Sequence, residues 1–323
     1  MTQTLNLRVR AITWEADGIL GFELVPTTPN TLLPAFDAGA HVDLHLGNGL
    51  IRSYSLLNAP GERQRWCIAV NRDAASRGGS RFLHESMRPG QIVTVGLPRN
   101  NFPLAEDAAR SVFIAGGIGI TPILGMIRRL TALGRPWSLH YAARTRETAA
   151  FVPVLTALAG EAEDAGGALD IRYDREPGAR PLDLGAIVAA LPGDAHVYCC
   201  GPLGMLAAFE AATAALPRER VHVEYFAAKD APATGGGFEV KLARDGRTVS
   251  VAAGQSILDA LIAIGVEPPN SCREGVCGTC ETRVLRGTPD HRDLVLSEAE
   301  KAAGDRMMIC CSGAKTPSLE LDL

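Results

Sequence analysis

The chain has 323 residues, of which 46% are apolar, 21% charged and 5% aromatic. That composition builds a globular protein of two to three domains and excludes a disordered, collagenous or coiled-coil chain. A net charge of −4 offers no basic field for nucleic acid, and every apolar run breaks well short of the roughly 20 residues of a membrane span, so neither partner is expected.

The opening MTQTLNLRVRAITWE has no apolar stretch behind a basic start, which argues against a secretory signal and for a cytoplasmic location. Within residues 1–105, the runs LRVRAITWE, ILGFELVP, HVDLHLG, IRSYSLLN, RWCIAV and QIVTVGLP show partial period-two alternation and end at Gly, Pro, Asn or Asp. Six short strands with one helical insert near residues 81–87 predict a small antiparallel β-barrel. In the fourth run, Arg52 can grip a phosphate bidentately, Tyr54 offers a flat face and Ser55 a small donor. The same residues also suit a plain strand.

Residues 106–227 change rhythm. SVFIAGG, WSLHYAA, LDIRYD, AHVYCCG and VHVEYFA read as apolar strands separated by helical patterns, an α/β module with a parallel sheet covered on both faces. After the first strand comes AGGIGITP. Gly116, Gly117 and Gly119 remove side chains where a phosphate-bearing ligand would approach the backbone. Thr121 as N-cap and Pro122 as first helical residue would start a helix aimed at that ligand. Such a turn can also do no more than pack a helix on a sheet. The CCGP segment, Cys199 to Pro202, falls at the C-terminal edge of the fourth strand, where open α/β sheets bind ligands. Cys199 is expected under a helix start and Cys200 toward a ligand. Asp174, ending the third strand, could bind adenosine hydroxyls and repel a 2′-phosphate, whereas Arg144 and Arg146 after the second could welcome one.

Residues 228–236, AKDAPATGG, read as a linker. In residues 237–323, FEVKLARDGRTVSVAA predicts a hairpin turning at Asp-Gly, and SILDALIAIGV predicts a helix capped by Ser256. Short strands are expected near ETRVLRG, MMICCS and LELDL. This unit carries 10 Lys and Arg against 13 Asp and Glu, a net of −3. It also holds five of the eight cysteines. Cys272, Cys277, Cys280 and Cys310 follow C-x4-C-x2-C…C, the plant-type ferredoxin spacing for a [2Fe–2S] cluster, with Gly275 and Gly278 letting the loop backbone approach the sulfides. A four-cysteine zinc site would use two short C-x2–4-C knuckles, and only one is present. Cys311 is expected to pack rather than ligate.

RSYS in a barrel, GGIGITP and CGP in a nucleotide module, and a C-terminal plant-type cluster resemble the phthalate dioxygenase reductase family, the FMN-dependent branch of the ferredoxin–NADP reductase superfamily. The resemblance covers essentially the whole chain in the same domain order, and RGGS at 77–80, VEYF at 223–226 and PDHRDLVLSEAE at 289–300 also match. It implies a β-grasp fold for the ferredoxin unit. It implies that Arg52, Ser53, Tyr54 and Ser55 bind FMN, with Ser55 near the flavin N5. Ala69, Val70 and Asn71 would line the ring and ribityl chain, and Gly78, Gly79 and Ser80 would form the phosphate turn. Thr121 would lie near both flavin and nicotinamide, Cys200 with Gly201 and Pro202 beside the hydride path, Glu224 near the nicotinamide, and Phe226 over the flavin face. An ordinary strand carboxylate is the other reading of Glu224.

The resemblance further implies hydride transfer from NADH to FMN and single-electron transfer through the [2Fe–2S] cluster. The acceptor would be a Rieske-type terminal oxygenase acting on an aromatic or related small substrate. A monomer suits such a shuttle. The alternatives are a reductase for another acceptor, such as a cytochrome P450 or a free ferredoxin, and a non-catalytic redox sensor.

Overall fold

Leu7 and Val9 point inward from the long strand β1 (Thr4–Ala16) while their neighbours face out, the alternation of a half-buried strand. In the computed structural model, which describes residues 3–74 and 76–323, β1 pairs with β2 (Ile19–Pro26). The strands β3 (His41–His45), β4 (Ile51–Ser55), β5 (Trp66–Asn71) and β6 (Ile92–Gly96) complete an antiparallel sheet in the order β4-β3-β6-β1-β2-β5. Its two edges meet, the Leu57 N–H donating to the Cys67 carbonyl at 3.0 Å, and the barrel closes around Leu24, Val42, Leu44, Trp66, Ile68 and Val95. The helical insert is α1 (Gly79–Glu85), slightly earlier than expected because Gly78, at φ 102°, supplies the left-handed turn into it.

The parallel strands β7 (Ser111–Gly116), β8 (Trp137–Ala143), β9 (Ala168–Tyr173), β10 (His196–Cys200) and β11 (Val221–Glu224) run in the order β11-β10-β7-β8-β9. Helices α2 (Ile120–Ala132), α3 (Val152–Glu161), α4 (Leu184–Ala189) and α5 (Leu203–Thr213) alternate with them. The chain leaves β7 in one direction to β8 and β9, then returns to place β10 on its other side. The crevice between β7 and β10 is therefore the topological switch point. Barrel residues Ala16, Ile19, Leu57 and Ala69 share one apolar core with Phe113, Ile120 and Leu124, so barrel and α/β module form one compact unit, residues 3–224.

The second unit runs from Tyr225 to Leu323. Its strands are β12 (Phe238–Leu242), β13 (Thr248–Val251), β14 (Glu281–Arg286), β15 (Pro289–Asp290), β16 (Arg306–Met308), β17 (Gly313–Ala314) and β18 (Ser318–Leu321). Five of them make a mixed sheet, β13-β12-β18-β14-β16, with β12 and β18 parallel. The helix α6 (Ile257–Ala263) packs Ile257, Leu258 and Leu261 with Val240, Leu242, Met307 and Leu319, a β-grasp arrangement. The expected hairpin joins β12 to β13, and Ser256 caps α6 by accepting the Asp259 N–H at 3.1 Å. The strand expected over MMICCS ends at Met308, because residues 309–312 turn to deliver Cys310 inward. A helix outside the expected elements, α7 (Glu298–Ala303), starts at a capping box in which Ser297 and Glu300 satisfy each other's backbone N–H. The end of the expected linker is tied down in this unit, the Ala233 N–H donating to the Cys311 carbonyl at 2.7 Å. Among the described residues no helix is long and apolar enough to cross a membrane.

Candidate functional site

The residues expected to hold the flavin converge on β4, β5 and α1. The stem of Arg52 lies over Gly79, where a Cβ would come within 2.7 Å of the Arg52 Cγ, so a side chain at this position would displace Arg52. Asn48 donates to the Gly78 carbonyl at 3.3 Å, and His84 on α1 contacts the Val70 carbonyl at 2.9 Å. Ser80 accepts the Asp73 N–H at 3.3 Å and donates to Ser76 at 2.9 Å. Tyr54 lies against the barrel core, and burial raises its phenol above the usual value. Strand β5 runs beside the Gly117–Gly119 turn, so the strand expected to line the flavin and the turn expected to meet the nucleotide are neighbours.

The Ser53 side chain has a partner within the barrel. Its hydroxyl donates to Asp43 Oδ1 at 2.7 Å, and Arg99 donates to Oδ2 of the same carboxylate at 2.8 Å. Burial alone would raise the Asp43 carboxyl, but the Arg99 guanidinium and the Ser53 hydroxyl together hold it below its ordinary value. Neighbouring His41 is lowered to about 4, chiefly by burial and then by Arg99. This network braces β4 from behind. Asp43 and Arg99 escaped the sequence reading because nothing local pairs residues 56 apart. Only the alternation of polar and apolar residues in HVDLH hinted that β3 shows a polar face.

At the switch point the three glycines divide. A Cβ on Gly119 would run into the Cys200 carbonyl oxygen, and one on Gly116 would lie 2.6 Å from Pro202 Cδ. A Cβ on Gly201 would lie 3.1 Å from the Gly116 backbone. These glycines let the turn after β7 and the CGP turn after β10 pack against each other. Gly117, at φ 54° with open space around it, is the one that faces outward. The expected helix start moves as well. Gly117–Gly119 form a 3₁₀ turn and α2 begins at Ile120, so Thr121 lies inside the first turn, its hydroxyl donating to the Ile118 carbonyl at 2.9 Å. Pro122 follows within the buried first turn.

Cys200 pairs in register with Ala115 on one side and Glu224 on the other. Both Cys199 and Cys200 are fully buried. Burial, then the nearby Glu224, pushes the Cys200 thiol well up. The Glu224 residue is partly exposed but its Oε2 is buried with no hydrogen-bond partner, and burial raises its carboxyl to about 8. Phe226, 41% exposed, lies two residues further along in the second unit. At the far sheet edge, Asp174 and Arg144 are exposed and their loops are joined by the Asp174 N–H donating to the Ala143 carbonyl at 2.9 Å. Arg146 lies 4.4 Å over the Tyr173 ring and pairs with Glu176 at 3.1 Å.

In the second unit the four spaced cysteines meet. The thiols neighbour one another as Cys272 with Cys277 and Cys280 with Cys310, and Cys272 also reaches Cys310. All four are buried, and the neighbouring thiol followed by burial pushes Cys277 and Cys280 far above the ordinary thiol value. The Glu274 N–H donates to Cys272 Sγ at 3.3 Å, as backbone amides do toward cluster sulfur. Gly275 and Gly278 take positive φ, 70° and 77°, to wrap the loop. Two pairs of thiols suit two irons, each with two cysteine ligands. Among the described residues no three His, Cys, Asp or Glu side chains are grouped to hold a single metal ion. Cys311 packs as expected. Its Sγ would lie 2.5 Å from a Cβ on Gly275, and its thiol donates toward the Met308 carbonyl at 3.7 Å.

Two family models match the chain. Residues 113–211 match an oxidoreductase NAD-binding domain and residues 240–315 a 2Fe-2S iron-sulfur cluster binding domain. The chain is 57% identical over 319 residues to the phenoxybenzoate dioxygenase subunit beta of Ectopseudomonas oleovorans, covering 99% of this chain and 97% of the relative. It is 43% identical to a vanillate O-demethylase oxidoreductase of a Pseudomonas species, covering 99% and 100%. The solved structure of phthalate dioxygenase reductase, described as modular for electron transfer from pyridine nucleotides to [2Fe–2S], superposes with a TM-score of 0.75 at 38% identity. That match covers 99% of this chain and 98% of the other. The chain belongs to the phthalate dioxygenase reductase family. As a member of the phthalate dioxygenase reductase family it is an electron-transfer oxidoreductase with a ferredoxin-reductase-like body and a C-terminal [2Fe–2S] domain. Membership brings the cofactor set FMN, NADH and [2Fe–2S], and the paired thiols suit the [2Fe–2S] cluster.

Proposed function

We propose that the chain is the reductase component of a Rieske-type aromatic-ring dioxygenase or O-demethylase system, drawing electrons from NADH and delivering them singly to a separate terminal oxygenase. The observation that carries this reading is the meeting of the Cys272, Cys277, Cys280 and Cys310 thiols in a chain that also has a nucleotide crevice. Held in these sites, FMN would supply acceptance of the two electrons of a hydride and the [2Fe–2S] cluster, held by Cys272, Cys277, Cys280 and Cys310, their delivery one at a time.

The protein's own work is positioning. Arg52 and Ser80 serve the phosphate end of FMN, with Gly78 and Gly79 shaping the turn; Tyr54, Ser55 and the strand Ala69–Asn71 serve the ring. Ser53 acts through Asp43 to fix β4. Gly117, Thr121 and the Cys200–Pro202 turn admit the nicotinamide half of NADH. With its carboxyl raised to about 8, Glu224 keeps a proton at neutral pH and can donate it in a hydrogen bond to the carboxamide. Asp174 serves the adenosine hydroxyls. Because Arg146 is already engaged by Tyr173 and Glu176, a 2′-phosphate finds less welcome there, which favours NADH over NADPH. The acidic second unit steers a monomeric reductase onto a basic patch of the oxygenase in a transient complex.

An anaerobic NADH titration followed by visible absorption tests this. Flavin and cluster bands should bleach together at about three electrons per chain, the sum for one flavin and one cluster. Flavin bleaching without a reducible cluster band would replace the iron–sulfur centre by a zinc site. The lack of any flavin band would sink the reductase reading altogether.

A further inference from the structure

Buried polar atoms almost always find a hydrogen-bond partner, so a group of them without one asks for an explanation. Three such atoms sit together in the second unit: both ring nitrogens of His291 and Oδ1 of Asp293. The His291 side chain is 9% exposed and that of Asp293 is 0% exposed. Their nearest approach, Nδ1 to Oδ1, is 3.6 Å, within ion-pair range but beyond a hydrogen bond. The other oxygen of Asp293 is well held, accepting from the Val295 N–H at 3.2 Å and the Leu296 N–H at 2.8 Å. Stability alone does not account for an imidazole facing a carboxylate in a buried site, since apolar residues of similar volume commonly serve as well or better.

The surroundings do account for it. Asp293 lies directly on the loop that carries three of the four thiols. A Cβ on Gly275 would sit 3.1 Å from the Asp293 Cα and 3.3 Å from its Cβ, and the Leu294 N–H donates to the Gly275 carbonyl at 2.9 Å. One residue earlier, the Arg292 N–H donates to Ser312 Oγ at 3.2 Å, just past the fourth thiol residue, Cys310. The strand pair β15–β17 holds the same segment, with Asp290 opposite Gly313. The pair is thus stitched to both chain segments that supply the cluster's ligands. Arg292 is turned to its own surface partner, Asp290, at 2.8 Å, and leaves the buried carboxylate to His291.

Fixed charge beside an iron–sulfur cluster acts on its reduction potential, because reduction adds one negative charge to a group in a poorly solvated site. We propose that the buried Asp293 carboxylate holds the potential of the [2Fe–2S] cluster down, and that His291, facing it, limits how far. Neither residue touches a ligand as a donor; both act through the loop as positioning and electrostatic residues. A lowered potential makes the cluster a better one-electron donor to the next protein. The inference rests on the [2Fe–2S] assignment and is independent of which oxygenase accepts the electron.

The test is a spectroelectrochemical titration of the cluster in the full-length holoprotein, with iron and sulfide content measured on the same sample. Asp293→Asn keeps the shape and the acceptor for both backbone amides. It should raise the midpoint potential by enough to shift the one-electron equilibrium about tenfold, 59 mV. His291→Gln should move it the opposite way. An unchanged potential in Asp293→Asn at full iron and sulfide content overturns the proposal. If that variant loses its cluster, His291→Gln decides: a lowered potential upholds the proposal and an unchanged one overturns it. A wild-type protein without iron and sulfide would instead defeat the cluster assignment.

Discussion

At the scale of single residues, burial turns Glu224 into a carboxyl that keeps its proton at neutral pH. Its carboxyl is raised from 4.5 to about 8 by burial, with Oε2 unpartnered. The unfolded chain loses this proton as pH passes 4.5, while the folded chain keeps it until about pH 8. Between those values the folded state binds more protons, so stability is greatest below the window and falls as pH rises through it. The full shift corresponds to roughly 5 kcal/mol as an upper bound. Glu224→Gln has the same shape without the titration. It should change the melting temperature little at pH 5 and stabilise by about 1–3 kcal/mol at pH 8, the gap widening steadily between. Calorimetry of both proteins from pH 5 to 8.5 checks this, and two parallel curves would show that the carboxyl does not titrate as its burial demands. The neighbouring Cys200 thiol, pushed well above 9 by burial and by Glu224, stays protonated throughout that range and does not confuse the result.

At the scale of elements, the turn between β7 and α2 separates a glycine that the packing requires from one that the packing leaves open. Gly119 is required by the protein itself, because its missing Cβ is where the Cys200 carbonyl lies. Gly117 has open space and a left-handed φ of 54°. Gly119→Ala must push β10 away from α2 and should cost about 1–3 kcal/mol or more, with poor soluble yield. Gly117→Ala should cost only the left-handed strain, about 1–2 kcal/mol, and should raise the KM for NADH severalfold while flavin content stays full. Thermal melts paired with steady-state kinetics distinguish them, and equal loss of stability in both would refute the division. The sequence reading saw three equivalent glycines here, since a glycine required by a carbonyl 81 residues away looks like one required by a phosphate. Thr121 was misplaced for a related reason: the 3₁₀ turn at Gly117–Gly119 starts the helical path early, and glycines give no hint of it. Other features were open to reading. Ser256 as a cap and the Asp-Gly hairpin rest on local chemistry, and the capping box Ser297–Glu300 that begins α7 was equally visible but passed over. The four cysteines could be assigned from spacing alone because a cluster imposes that spacing on the chain, whereas the Ser53–Asp43–Arg99 network imposes none.

At the scale of the whole molecule, the two units have separate apolar cores: in the first, one inside the barrel and one shared by barrel and α/β module, and in the second, one enclosed by the β-grasp sheet and α6. Separate cores mean that chemistry in one unit can be removed without unfolding the other. Cys277 belongs to the thiol set and lies outside all of those cores, so Cys277→Ala removes a ligand at little packing cost to the NAD and flavin machinery of residues 3–224. The full-length variant should lose its iron and sulfide, keep its flavin, and keep NADH oxidation with ferricyanide, an acceptor that the flavin can serve directly. Electron delivery to the acidic unit's own partner, or to cytochrome c as a one-electron substitute, should fall by about tenfold or more, because the flavin then lacks its single-electron outlet. Ferricyanide reduction falling in step with cytochrome c reduction would mean that the cluster supports the first unit's chemistry as well as receiving its electrons. Retention of both activities would mean that electrons leave from the flavin and that the C-terminal unit is not on the path.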